Sequence, residues 1–305
     1  MKHNMQILKE LAQKNGPLCV GLDTSPSYLP ESILKKYSSP AKAVLDFNAS
    51  LIERIADEKS ASSFKVQIAY YEAMGLEGMK TYAETLSLCK KSGLVCISDV
   101  KRGDIAATAA AYASAHFSGD FESDIITINP YMGFDTIEPF TKYCTDKGKG
   151  IFVLLRTSNP GMVDIEQKEL LSGGRVLDAV GNELSRLAEE FSSVFTDCET
   201  SPVGAVVGCT EESDARILRD RYKDIFFLIP GYGAQGGAAR ICATLLDKAG
   251  GSVNSSRGIL CAWKKDAECL EKEKDQSLTL NDIVASSVKA SLSSKTELLQ
   301  AFASL

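Results

Sequence analysis

Eight short runs of apolar, β-favouring residues recur along the chain, each followed by a longer stretch with helical or loop character. They are 18–23 (LCVGLD), 63–68 (SFKVQI), 94–99 (LVCISD), 124–129 (DIITIN), 150–156 (GIFVLLR), 203–208 (VGAVVG), 225–230 (IFFLIP) and 251–255 (GSVNS). Near-continuous apolar character suits strands buried on both faces, as in a parallel sheet. The intervening segments are long enough for crossover helices, most clearly at 76–91 and 104–117. Eight strand–helix units in 305 residues predict an α/β fold, a (β/α)8 TIM barrel. A doubly wound sheet has the same alternation, and strand counting alone does not separate the two.

No shift in composition divides the chain, so residues 1–305 are expected to form a single barrel domain. The most irregular connection runs from Thr157 to Pro202, and helical character resumes near Arg175. Its first part, TSNPGMVDIEQKELLSGG, is rich in turn formers; 158–173 is a candidate mobile lid beside a strand end, with a solvated excursion as the plainer alternative. The charge run 264–275 (KKDAECLEKEKD) reads as a solvated helix face within a helical extension after about 262.

Composition narrows the function classes. With 44% hydrophobic and 24% charged residues, the chain is neither disordered, collagen-like nor a small disulfide scaffold. A net charge of −6 argues against broad binding to nucleic acid or anionic lipid, while leaving room for one local cationic pocket. Nine cysteines, an odd number without any CxxC, read as reduced thiols. With only His3 and His116 beside them, a Cys/His zinc site is not expected, and His116 reads as a packed or surface residue. The N-terminal MKHNMQILKELAQKNG lacks a signal-peptide core, and no apolar stretch approaches the ~20 residues of a membrane span. The cytoplasm is the expected location.

Polar residues gather at the C-terminal ends of the expected strands, the active face of a parallel barrel. Asp23, Lys65, Asp99, Lys101 and Asp104 come first; Asn129, Arg156, Gln235 and Arg257 follow. The sharpest feature is Asp99-Val100-Lys101-Arg102-Gly103-Asp104. On a strand, residues 99 and 101 face the same side. An alternating carboxylate–ammonium array keeps each group ionised and can aim a lysine as proton donor at a reacting anion; a purely structural ion-pair network is the competing explanation.

A second feature, Pro230-Gly231-Tyr232-Gly233-Ala234-Gln235-Gly236-Gly237, formally contains GxGxxG. It follows the seventh strand with too little chain left for a dinucleotide-binding unit. With Ser255-Ser256-Arg257-Gly258 after the eighth strand, it suits a barrel phosphate site, where Arg257 can grip bidentately. Two tight turns and a surface arginine would be the plainer reading. After strand five, Ser158 of Arg156-Thr157-Ser158-Asn159-Pro160-Gly161 can recognise a heterocycle edge, although an ordinary turn has the same composition.

These residues resemble the orotidine 5′-phosphate decarboxylase family. The carriers are DxKxxD as Asp99-Lys101-Asp104, Lys65 upstream and Thr108 four residues beyond Asp104. FKVQIAYYEAMG, TINPYMGFD, LLRTSNPG, IPGYGAQGG and NSSRGIL are similar to its longer, type 2 branch, from Gly21 to about Leu260. The resemblance implies a homodimer that converts orotidine 5′-monophosphate to UMP and CO2 without metal or organic cofactor. Lys65, Asp99, Lys101 and Asp104 would form the charged array, Asp104 reaching across the dimer and Lys101 protonating C6. Asp23 and Lys65 would bind ribose hydroxyls, with Thr108 doing so from the partner. Ser158 would read the pyrimidine, and Gln235 and Arg257 would hold the phosphate. Three alternatives stay open: a Mg²⁺-dependent sugar-phosphate lyase or aldolase with a similar DxKxxD strand, a Schiff base at Lys65 or Lys101, and a non-catalytic nucleotide sensor.

Overall fold

The computed structural model describes residues 2–233 and 237–305. Eight strands form the core: β1 (Leu18–Gly21), β2 (Ser63–Gln67), β3 (Val95–Arg102), β4 (Ile125–Ile128), β5 (Gly150–Arg156), β6 (Val203–Val207), β7 (Phe227–Ile229) and β8 (Gly251–Ser255). All pair in parallel with their sequence neighbours, and β8 returns to β1 with Leu18 opposite Val253. That closure excludes the doubly wound sheet and makes the fold a (β/α)8 barrel.

The apolar runs are explained by burial on both faces. Cys19, Val95, Ile97, Ile125, Phe152, Val206, Phe226 and Leu228 pack inside the barrel, while Val20, Phe64, Cys96, Ile126 and Val153 face the surrounding helices. The helix Asn4–Asn15 seals the N-terminal end by inserting Met5 and Leu8 into the interior cluster. His3 starts this helix: its Nδ1 accepts from the Gln6 amide, so Nε2 carries the proton donated to the Thr200 carbonyl at 2.8 Å. Burial pushes the imidazole down to about 4, which keeps it neutral.

Two boundaries differ from the sequence reading. β3 continues past Asp99 to Arg102, and its pairing with β4 shifts between Ser98 and Arg102. The following helix begins at Ala106 rather than 104, because Ile105 is still extended, its amide donating to Asp104 Oδ1 at 2.8 Å. The segment after β5 contains a short 3₁₀ turn, Pro160–Asp164, and an isolated antiparallel bridge between Glu169 and Arg175 before the helix Val176–Val194. The charge run is not solvated throughout, since Cys269 is buried. The final helix, Leu280–Ala303, packs against the helices Pro40–Asp57 and Gly237–Leu246. All nine cysteines are free thiols. Among the described residues, no helix is long and apolar enough to cross a membrane.

Candidate active site

The C-terminal ends of β1, β2 and β3 bring four charged side chains together. Lys65 Nζ lies 2.9 Å from Asp99 Oδ2 and 3.2 Å from Asp23 Oδ1; Lys101 Nζ lies 2.6 Å from Asp99 Oδ1. Three of the four are sheltered, but the Lys101 side chain is 44% exposed and faces the open rim. Asp99 also accepts from Gln67 Nε2 at 3.0 Å and from the Thr127 hydroxyl at 2.9 Å. Four donors on two oxygens saturate the carboxylate, which is how a charge survives burial. Burial opposes ionisation of Asp99, yet the Lys65 and Lys101 ammoniums outweigh it and hold the carboxyl well below the usual range. Burial likewise opposes the charge on Lys65, and Asp99 and Asp23 more than offset it, holding the ammonium well above an ordinary lysine.

Asp23 is fixed from the far side of the barrel seam. Ser256 Oγ donates to Asp23 Oδ2 at 2.7 Å and accepts from Asn254 Nδ2 at 3.2 Å. The approach needs a glycine at 21, where a Cβ would stand 2.0 Å from Ser256 Oγ and 2.8 Å from Asn254 Oδ1. Arg257 is the next residue, exposed at the start of the turn Arg257–Leu260.

The remaining expected site residues divide clearly. Ser158 is exposed and lies against the loops leaving β6 and β7, 3.1 Å from where a Cβ on Gly208 would stand. Glu166 clasps the base of its segment, accepting from the Thr157 amide at 2.9 Å and the Thr157 hydroxyl at 2.6 Å. Asp104 stands apart from the array: within one chain it pairs with neither Lys65 nor Lys101, and its place there is taken by Asp23. Thr108 is exposed on the helix Ala106–Phe117. Gln235 lies outside the described residues. Arg156 is not a rim group; it is buried, with Nη1 donating to the Thr157 and Gly208 carbonyls and Nη2 3.4 Å from Asp214. His116 is buried, accepting from Arg102 Nε at 3.3 Å. Burial and the neighbouring Arg102 push it down to about 4, so it stays neutral.

Gln67 and Thr127 escaped the sequence reading, and Ser256, read there only within a phosphate turn, holds Asp23. Gln67 is two residues past Lys65 on the same strand face, a spacing that could have found it. Thr127 and Ser256 act across strands, and no local spacing marks them.

A closed parallel barrel with a lysine–carboxylate array at its C-terminal rim has the architecture of a barrel enzyme. A model of the orotidine 5′-phosphate decarboxylase / HUMPS family matches residues 16–270. The chain is 51% identical over 259 residues to the orotidine 5′-phosphate decarboxylase of Clostridium novyi (strain NT), covering 85% of this chain and 88% of that one. It is 46% identical over 266 residues to the same-named protein of Clostridium kluyveri, covering 87% and 90%. The solved Leishmania donovani OMP decarboxylase superposes with a TM-score of 0.66 at 28% identity, covering 92% of this chain and 98% of that one. The chain therefore belongs to the orotidine 5′-phosphate decarboxylase / HUMPS family.

Proposed function

We propose that this chain works as its decarboxylase relatives are named, with Lys101 as the proton donor. It is a carboxy-lyase that converts orotidine 5′-monophosphate to UMP and CO2, the last step of pyrimidine nucleotide synthesis. The observation that carries the assignment of roles is the Lys65–Asp99–Lys101 array, whose outermost ammonium faces the open rim.

The chemistry explains why such an array is useful. As the bond from C6 to the carboxylate breaks, its electron pair stays in the ring plane, where no neighbouring carbonyl delocalises it as an enolate. A cation already aimed at C6 stabilises that pair, and the N–H of Lys101 then delivers the proton. Asp99 stands beside the substrate carboxylate and holds the Lys101 side chain at 2.6 Å. Asp23 and Lys65 bind the ribose hydroxyls, Ser158 reads the pyrimidine edge, and Gln235 and Arg257 hold the phosphate. Phosphate contacts remote from C6 help to close the site around the transition state. The segment 158–173 is the lid, hinged near the Thr157–Glu166 clasp, and the helices after about 262 brace the barrel from outside.

The working unit is a homodimer in which Asp104 and Thr108 complete the partner's site. The helix Ala106–Phe117 supports this, since it exposes Ala106, Ala107, Ala110 and Ala111 beside the exposed Ile105, Tyr131 and Met132. An apolar surface of this kind beside a site suits an isologous contact.

The test is the ultraviolet loss of orotidine 5′-monophosphate on adding purified protein in EDTA, beside Lys101→Ala. Conversion to UMP by the wild type, with at least about a thousandfold loss in the variant, is expected. Tight UMP binding without turnover would make the protein a sensor. Turnover of a sugar phosphate that returns only with Mg²⁺ would move it to the other branch of the family.

A further inference from the structure

We infer that Thr127 is a positioning residue for the proton donor, setting the backbone of Lys101 and the carboxylate of Asp99 with one hydroxyl. The inference rests on the role proposed for Lys101 and adds a residue to that site.

The argument begins with the shifted register between β3 and β4. Ser98 pairs with Ile126 and Arg102 with Ile128, so Asp99, Val100 and Lys101 together stand opposite Thr127 alone. Such a bulge leaves strand amides without ladder partners. Both are recovered by the Thr127 hydroxyl, which accepts from the Val100 amide at 3.0 Å and the Lys101 amide at 2.9 Å. The same hydroxyl spends its only proton on Asp99 Oδ1, at 2.9 Å. Lys101 Nζ reaches that same oxygen at 2.6 Å. A ring of hydrogen bonds therefore runs from the Asp99 carboxylate through the Thr127 hydroxyl and the Lys101 amide, and returns through the Lys101 side chain.

The ring accounts for a backbone conformation that the chain would otherwise avoid. Lys101 has φ +44°, a left-handed conformation that is strained for a non-glycine residue. Simple alternation along a strand therefore does not explain why Asp99 and Lys101 meet; the bulge does, and Thr127 holds the bulge. Thr127 is only 1% exposed, so its effect on the reaction must pass through these two residues.

The experiment compares Thr127→Val with Thr127→Ser. Valine keeps the shape and removes one donor and one acceptor, whereas serine keeps both. In the valine variant kcat is expected to fall at least about tenfold, with KM and the UMP dissociation constant changing by less than about threefold. Serine is expected to restore kcat to within about threefold of wild type. Equal kcat in wild type and valine variant, or a loss in both variants alike, would overturn the inference. A crystal structure of the valine variant separates this question from the reaction itself. There, φ of Lys101 or its contact with Asp99 is expected to change; if both are retained, Thr127 does not position Lys101, whatever the substrate proves to be. Absence of turnover in the wild type would instead remove the proposed function and leave the crystallographic answer standing.

Discussion

Ser256 and Asp23 are 233 positions apart in sequence and 2.7 Å apart in space, joined by a hydrogen bond across the seam where β8 meets β1. The residue after Ser256 is Arg257, and Asp23 shares Lys65 with Asp99. The loop assigned to phosphate is thus tied directly to the group assigned to ribose.

This seam makes Gly21 sensitive. A methyl group at 21 would overlap Ser256 Oγ, displacing either the serine or Asp23. Gly21→Ala should lower kcat/KM by about tenfold or more, Ser256→Ala by only a few fold. The double variant should recover much of the loss, because the nearest clashing atom is gone. A double variant no better than Gly21→Ala would transfer the clash to Asn254 Oδ1, 2.8 Å away. Steady-state kinetics on the three proteins decides it.

The buried pair of Lys65 and Asp99 should show itself in stability. Asp99→Asn leaves Lys65 facing Asp23 alone and should cost about 3 kcal/mol at neutral pH. The sign with pH follows from the two shifts. Asp99 binds its proton less readily folded than unfolded, so its contribution is present above the unfolded carboxyl value near 4 and is lost as pH falls below it. Lys65 is shifted upward, so its contribution is full below about 10.5 and is lost only as pH rises beyond that. Urea unfolding should therefore give a constant gap between wild type and variant from about pH 5 to 9, narrowing towards pH 3. A gap that is still full at pH 3 would mean that the carboxylate contributes nothing as an ion.

Arg257 is exposed and does not support the fold, so its removal should be felt in binding alone. Arg257→Ala should weaken UMP by about tenfold to a hundredfold, as expected for lost charge-assisted hydrogen bonds, with uridine affinity unchanged. Thermal unfolding without ligand should shift by less than about 1 °C. Isothermal titration with both ligands checks this, and an equal loss for uridine would refute the phosphate role.

Subunit mixing tests the proposal that Asp104 serves the site of a second copy. Lys101→Ala and Asp104→Asn should each be inactive or nearly so as pure proteins. A heterodimer has one site with both defects and one with neither, provided that Asp104 serves the opposite subunit. Equal mixing, unfolding and refolding should then restore about a quarter of wild-type activity. No recovery would keep Asp104 within its own chain's site.

The barrel was legible because its strands are buried on both faces, so that all eight announce themselves as apolar runs regardless of their neighbours. Seven of the eight ends fell within two residues of the observed positions. β3 did not, because it ends on the charged residues Lys101 and Arg102, and its last stretch is held by Thr127 and the bulge rather than by apolar burial. The array residues were equally visible, since a lysine and carboxylates at apolar strand ends have few uses other than pairing or chemistry. Arg156 shows the limit of that rule: the same type of position holds a guanidinium that satisfies carbonyls at the ends of β5 and β6.

The sequence by itself determined the parallel alternation, the buried faces, the polar C-terminal rim and the residues available for chemistry there. These are properties of single strands, whose patterning reflects only how much water each face meets. The tertiary structure alone decided that the sheet closes, that Asp23 rather than Asp104 joins the array within one chain, and that Lys101 reaches Asp99 through a left-handed bulge held by Thr127. Each of these depends on atoms from different strands meeting within about 3 Å, the range at which hydrogen bonds and ion pairs act, and a linear pattern carries no record of that distance.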